Sequence, residues 1–338
     1  SKTVLILGGG IGGIVAASLL RKALPRAHRV VLVEREERYV FPPSLLWLMT
    51  GQRTPKRISG PLAALKKRGI ELIRGNVERI DPQARAVKVN GIELTGDYLV
   101  IALGAELAPE TIHGLAPAGH NIYTLAGAEA LRDARLKLRE GRLVVLVSGV
   151  PFKCPAAPYE AAMLLEADLR RRGVRDRVTI DLYSPEPGPM GVAGPEVSAM
   201  VRQMVESKGI AYRPEQAVAK IDPQARRIYF TNDTTADFDL LAYVPPHRAP
   251  QVVRDAGLCG ESGWVPVDRG TLETKYPGVY AIGDVTGIPL AIGKPLPKAA
   301  VFAQAEAQIV AHNIVRVVTG RGEAHSFQGQ GACFIEIG

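Results

Sequence analysis

Cys154 is the residue in this chain best placed for nucleophilic chemistry. It stands in Gly149-Val-Pro-Phe-Lys-Cys-Pro-Ala-Ala-Pro-Tyr-Glu160, just ahead of a helix-like stretch over 160–172. A thiol at a helix head beside Lys153 feels positive charge from both, which favours the reactive thiolate. The competing reading is a small buried hydrophobe, the commoner fate of an isolated cysteine. Glu160 is the nearest carboxylate and the candidate for acid–base work, against a solvated helix residue. A second kind of chemistry, anion binding, is written in Gly8-Gly-Gly-Ile-Gly-Gly13. Backbone amides at a helix N-terminus hold phosphate oxygens, and glycines let the ligand come close.

The elements around the glycine run make it a fingerprint. The apolar run Thr3-Val-Leu-Ile-Leu7 reads as a strand, a helix-like stretch runs to Leu24, and Arg29-Val-Val-Leu-Val-Glu34 is a second strand. Gly8 permits the tight turn, Gly10 the approach of a pyrophosphate, and Gly13 close helix–strand packing. Glu34, 21 residues after Gly13, is placed to accept hydrogen bonds from ribose hydroxyls. The chain also repeats itself. Glu78-Arg-Ile-Asp-Pro-Gln-Ala-Arg85 recurs 141 residues later as Ala219-Lys-Ile-Asp-Pro-Gln-Ala-Arg226, and Asp97–Ile101 is echoed at the same offset by 238–242. Two related nucleotide-binding folds in tandem follow, the second starting at Arg142-Leu-Val-Val-Leu-Val-Ser148. There the glycines are gone. After Gly149 none appears until Gly173, and Pro151, Pro155 and Pro158 remove amide donors. The strand Val178-Thr-Ile-Asp-Leu-Tyr183 ends on Ser184 instead of an acid, with Glu186 close by. Tight nicotinamide binding is disfavoured.

The chain has 338 residues, 42 Lys+Arg against 34 Asp+Glu, and 46% hydrophobic residues. That is enough for two domains with full cores and is too apolar for disorder. Three cysteines do not make a disulfide framework. The weakly polar run over 4–20 is broken by glycines and starts as a strand, so no membrane span is expected. No export signal is read at the start, which points to a cytoplasmic protein or one peripheral on the cytoplasmic membrane. The net charge of +8 suits an anionic surface, yet the basic residues are dispersed, so no nucleic-acid site is expected. No metal-ligand spacing occurs.

A third segment, Gly278-Val-Tyr-Ala-Ile-Gly-Asp284, is a strand ending in Gly-Asp. With the opening fingerprint and Tyr98-Leu-Val-Ile-Ala-Leu-Gly104, it resembles the two-dinucleotide-binding-domain flavoproteins over essentially the whole chain. Within them Cys154-Pro-Ala-Ala-Pro-Tyr-Glu160, Phe41-Pro-Pro-Ser44 with Trp47, and Leu296-Pro-Lys298 resemble the sulfide:quinone oxidoreductase branch. The resemblance implies an α/β fold of two tandem Rossmann-like domains, the first binding FAD. Domains are expected at 1–110, 111–245 and 246–320, the last returning to the FAD fold, with 321–338 opening a C-terminal segment. It further implies cofactor contacts at Gly8, Gly10, Gly12, Gly13, Glu34, Arg35, Pro43, Ser44, Val77, Gly104, Gly283, Asp284 and Lys298. Asp284 would hold the ribityl chain. Lys298 would place a cation where flavin reduction puts negative charge.

Cys333-Phe-Ile-Glu-Ile-Gly338, 35 residues past Lys298, resembles the second redox cysteine of this branch. The resemblance implies a Cys154–Cys333 redox pair that oxidises sulfide to polysulfide or sulfur, with quinone as acceptor. It also leaves room for peripheral membrane contact and a homo-oligomer. Tyr123 stands where some members carry a further cysteine, so FAD is expected to be non-covalent. Cys259 matches nothing and reads as structural. Two other readings stay open: an NAD(P)H-dependent flavin reductase related to type II NADH dehydrogenases, and a flavin electron-transfer or redox-sensing protein.

Overall fold

A computed structural model describes residues 1–338. In chain order the elements that matter here begin with β1 (Thr3–Leu7), α1 (Ile11–Ala23), β2 (Arg29–Glu34), β3 (Glu71–Arg74) and β4 (Tyr98–Ile101). Next come β5 (His120–Asn121), α2 (Leu125–Arg135), β6 (Gly141–Val147), α3 (Ala157–Arg171), β7 (Val178–Tyr183) and α4 (Pro195–Ser207). The last are β8 (Ile210–Arg213), β9 (Leu240–Val244), β10 (Val279–Ala281) and α5 (Ala300–Thr319). They form two compact units. The first comprises Ser1–Tyr39, Gly60–Glu106 and Arg248–Cys333, and the second Val40–Ser59, Leu107–His247 and Phe334–Gly338.

The first unit is built on a five-stranded parallel sheet in the order β10-β4-β1-β2-β3. Its central strands are apolar throughout because both faces are covered, one by helices α1 and α5 and the other chiefly by the antiparallel meander over 77–95. Val4, Ile6, Leu32 and Val100 bury towards one face; Leu5, Leu7, Val31 and Leu99 bury towards the other. Helix α1 offers Gly12, Ala16 and Ala17, and α5 answers with Ala303, Ala307 and Ala311, so small side chains bring the two helices close.

The second unit repeats the plan, with sheet order β5-β9-β6-β7-β8. Strands β9, β6, β7 and β8 take the places of β4, β1, β2 and β3. Each unit also carries a three-stranded antiparallel meander, at 77–95 and at 218–237. The correspondence extends to irregularities. The ladder slips between Val77 and Arg79 and again between Val218 and Lys220, and Arg85 and Arg226 both take left-handed φ, +51° and +53°. The constant offset does not persist, however. The first meander turns on Asn90 and Gly91, whereas Phe230 pairs with Thr234 across three residues. One extra residue moves the equivalence, so Asp97 matches Asp239 and not Phe238. The bonding agrees: Asp97 Oδ2 accepts the Thr3 amide at 2.8 Å and Asp239 Oδ2 the Arg142 amide at 2.8 Å.

One segment departs from the expected domains. Residues 40–59 belong to the second unit instead of the first, because Leu45, Leu46, Leu48, Met49 and Ile58 bury in its core. Arg135, itself buried, fixes them: Nε donates to Met49 O at 3.0 Å, Nη2 to Thr50 O at 2.7 Å, and Nη1 to Asp168 Oδ2 at 3.1 Å. The C-terminal segment divides as well, 321–333 lying with the first unit and Phe334–Gly338 with the second. No helix is long and apolar enough to cross a membrane.

Candidate active site

In the first unit the glycine turn has the shape a pyrophosphate needs. Gly8 takes φ +101°, and a Cβ there would meet Ala102 O at 2.2 Å; a Cβ on Gly13 would meet Gly8 O at 1.8 Å. Around Gly10, by contrast, a Cβ would find no heavy atom within 4 Å. The backbone therefore packs as tightly as it can beneath the turn and stays open above it. The first-turn amides of α1, including those of Gly12 and Gly13, are the donors a helix leaves without intrahelical partners. Glu34 closes β2 beside them, its carboxylate accepting from Gly9 N at 2.5 Å and Glu36 N at 2.9 Å. Arg35 is exposed and pairs with Glu36 at 3.3 Å. Val77 begins the first meander, half-buried, and Gly104 turns the chain after β4 with φ +67°.

The Gly283–Val285 turn follows β10, Gly283 having φ +75°. Lys298 is buried just ahead of α5. Its ammonium donates to Asp284 O at 2.7 Å and Thr286 O at 2.9 Å and lies 3.4 Å from the Trp264 ring centroid. Burial lowers its pKa to about 8, against the pull of Asp284 and Glu306. Trp264 was not legible as a partner, because a cation–π contact between residues 34 apart leaves no local pattern. An open glycine cradle, an acid at the tip of β2 and a fixed cation beside the Asp284 turn fit a dinucleotide-type flavin.

The second unit shows what replaced its cradle. Helix α3 begins at Ala157, earlier than the expected 160. Two of the amides that a helix start leaves open are already used: Ala157 N donates to Cys154 O at 2.9 Å and Tyr159 N to Ala156 O at 3.1 Å. Pro158 has none to give. Fewer donors remain at this helix start for a pyrophosphate than at the start of α1. Cys154, half-buried, holds φ +55°, a conformation non-glycine residues rarely adopt and one that clusters at functional sites. Tyr123 secures this turn, its hydroxyl donating to Lys153 O at 2.6 Å, and the His247 ring stands edge-on to it at 5.4 Å. The sequence suggested no role for this tyrosine beyond displacing a cysteine.

Pro43 and Ser44 form a one-turn 3-10 helix in this unit. Ser44 is buried, with its Oγ accepting from Arg53 Nη1 at 2.8 Å, and Arg53 stacks on Trp47 at 4.2 Å. Glu160 is buried, not solvated, and its carboxylate accepts the Glu336 amide at 2.8 Å. Burial first, then the Glu336 carboxylate, raise its pKa. The chain three residues past Cys333 therefore lies on the residue six past Cys154. Cys333 itself is exposed, at the end of a tail held to the first unit by buried Phe327 and by Asn313, which exchanges two 2.9 Å bonds with His325. Cys259 packs against an apolar cluster, and burial raises its pKa, as a structural thiol's would be.

The family described as pyridine nucleotide-disulphide oxidoreductase matches residues 2–307. This chain belongs to that family. It is similar to the sulfide-quinone reductase of Aquifex aeolicus, with 30% identity over 100% of this chain and 82% of the relative. The X-ray structure of that organism's sulfide:quinone oxidoreductase superposes with a TM-score of 0.85 at 29% identity, over 95% of this chain and 78% of that one. A type II NADH:quinone oxidoreductase of Staphylococcus aureus is 23% identical, over 94% of this chain and 83% of its own length. The chain is thus a pyridine nucleotide-disulphide oxidoreductase of the sulfide:quinone oxidoreductase-like branch, a flavin-dependent oxidoreductase whose cofactor is FAD.

Proposed function

We propose that this enzyme oxidises sulfide to polysulfide or sulfur and passes the electrons to quinone, with Cys154 and Cys333 as its redox pair. The observation that carries the reading is the partly consumed helix start of α3, where a nicotinamide dinucleotide would need free amides and a strained cysteine stands instead. The Glu160–Glu336 bond supports the pairing by bringing the sequence neighbours of both cysteines together. Hydrosulfide attacks one sulfur of the Cys154–Cys333 bridge; the S–S bond breaks, one cysteine carries the persulfide, and the other leaves as thiolate. Lys153 and the start of α3 favour that thiolate. FAD, when bound, supplies the two-electron sink between sulfur and quinone. Gly8, Gly10, Gly12, Gly13, Glu34 and Asp284 hold it, and Lys298 supplies the fixed cation. Glu160 anchors the C-terminal segment that delivers Cys333.

The test is anaerobic mixing of the holoenzyme with each reductant in turn. Sulfide should bleach the flavin rapidly, NADH and NADPH should not, and a short-chain quinone should restore the colour. Similarity to a type II NADH:quinone oxidoreductase keeps one rival, and fast bleaching by NADH with indifference to sulfide selects it. Bleaching by sulfide without reoxidation by quinone selects an electron-transfer protein.

A further inference from the structure

We propose that Glu306 is a proton-holding residue of the flavin site, lining one small cavity with Lys298 and taking up a proton as two electrons arrive there. The proposal rests on FAD being the cofactor and does not depend on sulfide being the substrate. Glu306 is 1% exposed on α5. Nothing in the reaction described above uses it.

Glu306 and Lys298 clasp the Asp284 turn from opposite ends. The Glu306 carboxylate accepts the Gly283 amide, while the Lys298 ammonium binds the carbonyls of Asp284 and Thr286. Both side chains line a cavity of about 10 Å³, together with Gly283, Asp284 and Phe302. That is room for about one water, enough to connect two polar groups that each bond to backbone. The charges acting on Glu306 are Asp284 from the turn and Lys298 from the segment before α5. Helix α1 presents only small and apolar residues to α5, and its Arg21 turns away to the carbonyls of Leu24, Pro25 and His28.

Burial raises the Glu306 carboxyl to about 8 and lowers Lys298 to about 8, so both exchange protons near ordinary working pH. Negative charge arriving beside them favours the protonated form of each. Below that range both hold protons already and nothing is taken up. From there up to the higher value that the reduced state gives the pair, two electrons from the reductant bring one proton to the flavin and a second to the Glu306–Lys298 pair, chiefly onto the Glu306 carboxylate. Lys298 shares that second proton, since the two groups titrate as a pair.

The experiment is a spectroelectrochemical titration of the holoenzyme, reduced with dithionite, between pH 6 and pH 10. The wild-type midpoint potential should fall with pH at the one-proton slope below pH 7 and steepen through pH 8 to nearly twice that slope above it. In Glu306→Gln, which keeps an acceptor for the Gly283 amide, that extra slope should shrink by half or more. Lys298→Met should lower the potential at every pH yet keep part of the steepening. A readout that needs no variant is the infrared difference spectrum on reduction at pH 9, where a protonated-carboxyl band should appear. A Glu306→Gln profile that superimposes on wild type, a steepening abolished by Lys298→Met alone, or an absent carboxyl band would overturn the proposal. Because dithionite replaces sulfide, an enzyme indifferent to sulfide that still shows the effect would refute only the substrate reading.

Discussion

Replacing Gly13 or Gly10 by alanine should separate the two jobs that the glycine turn performs. A Cβ on residue 13 would sit 1.8 Å from Gly8 O, whereas an unstrained carbon–oxygen contact needs about 3.3 Å. Helix α1 must therefore retreat by about 1.5 Å, or the turn must deform by as much. Either shift takes first-turn amides out of hydrogen-bond range of a bound pyrophosphate. Losing two charge-assisted bonds at about 1.5–3 kcal/mol each weakens FAD binding by about 3–6 kcal/mol, or roughly 10² to 10⁴ in Kd. Overpacking should also cost the flavin-free protein about 1–3 kcal/mol of stability. Gly10→Ala is the contrasting case. Its Cβ meets no atom within 4 Å, so the flavin-free protein should unfold like wild type while FAD binding weakens, because the methyl group takes the ligand's space. The assay is reconstitution of flavin-free protein followed by flavin fluorescence, with urea unfolding of the same samples. If Gly10→Ala binds FAD within threefold of wild type, or destabilises the flavin-free chain as much as Gly13→Ala, the assignment of these residues is wrong.

Cys154→Ser and Cys333→Ser should each abolish sulfide turnover while retaining FAD, since a nucleophile and its resolving partner act as one unit; near-normal turnover in either variant contradicts the pairing. Acid precipitation should release all the flavin intact, because Tyr123 offers no thiol; flavin left on the pellet refutes this. Glu160→Ala should loosen the segment over 334–338, seen as faster amide hydrogen exchange there than in wild type; unchanged exchange counts against the anchor. The raised pKa of Glu160 means that the unfolded chain ionises at lower pH than the folded one. Its contribution is therefore fully present at low pH and is lost as pH rises through the folded value. Glu160→Gln should flatten the fall in urea stability as pH rises above the ordinary glutamate value of 4.5, and a steeper fall would contradict the sign.

The tandem folds were legible because glycine turns and strand-ending acids are local signals, and because the repeat from Glu78 to Arg85 recurs almost letter for letter. The extra residue in the second meander was not, since an alignment by eye cannot tell a three-residue turn from a two-residue one. Residues 40–59 were misplaced because Leu45-Leu-Trp-Leu-Met49 is apolar in any setting; its owner is decided by Arg135, 86 residues from Met49. Cys154 was legible as a helix-head thiol, but its left-handed backbone and the Tyr123 brace depend on tertiary contacts. Glu306 looked like any helix glutamate between alanines, and only the packing of α5 against the Asp284 turn buries it.

The first unit is assembled from three separated stretches of chain, and its last sheet strand, β10, lies at Val279–Ala281. During synthesis the ribosome must pass through the whole of the second unit's central stretch, Leu107–His247, before the flavin fold can close. Domains generally fold as units as they emerge, so the second unit has most of its sequence available first. The nascent four-stranded sheet of β1, β2, β3 and β4 meanwhile waits with the edge of β4 unpaired, and Lys298 and Glu306 follow later still. Cofactor capture is thus a late event in the life of each molecule, and release of chains shortened before α5 should yield flavin-free, aggregation-prone protein rather than a weaker enzyme.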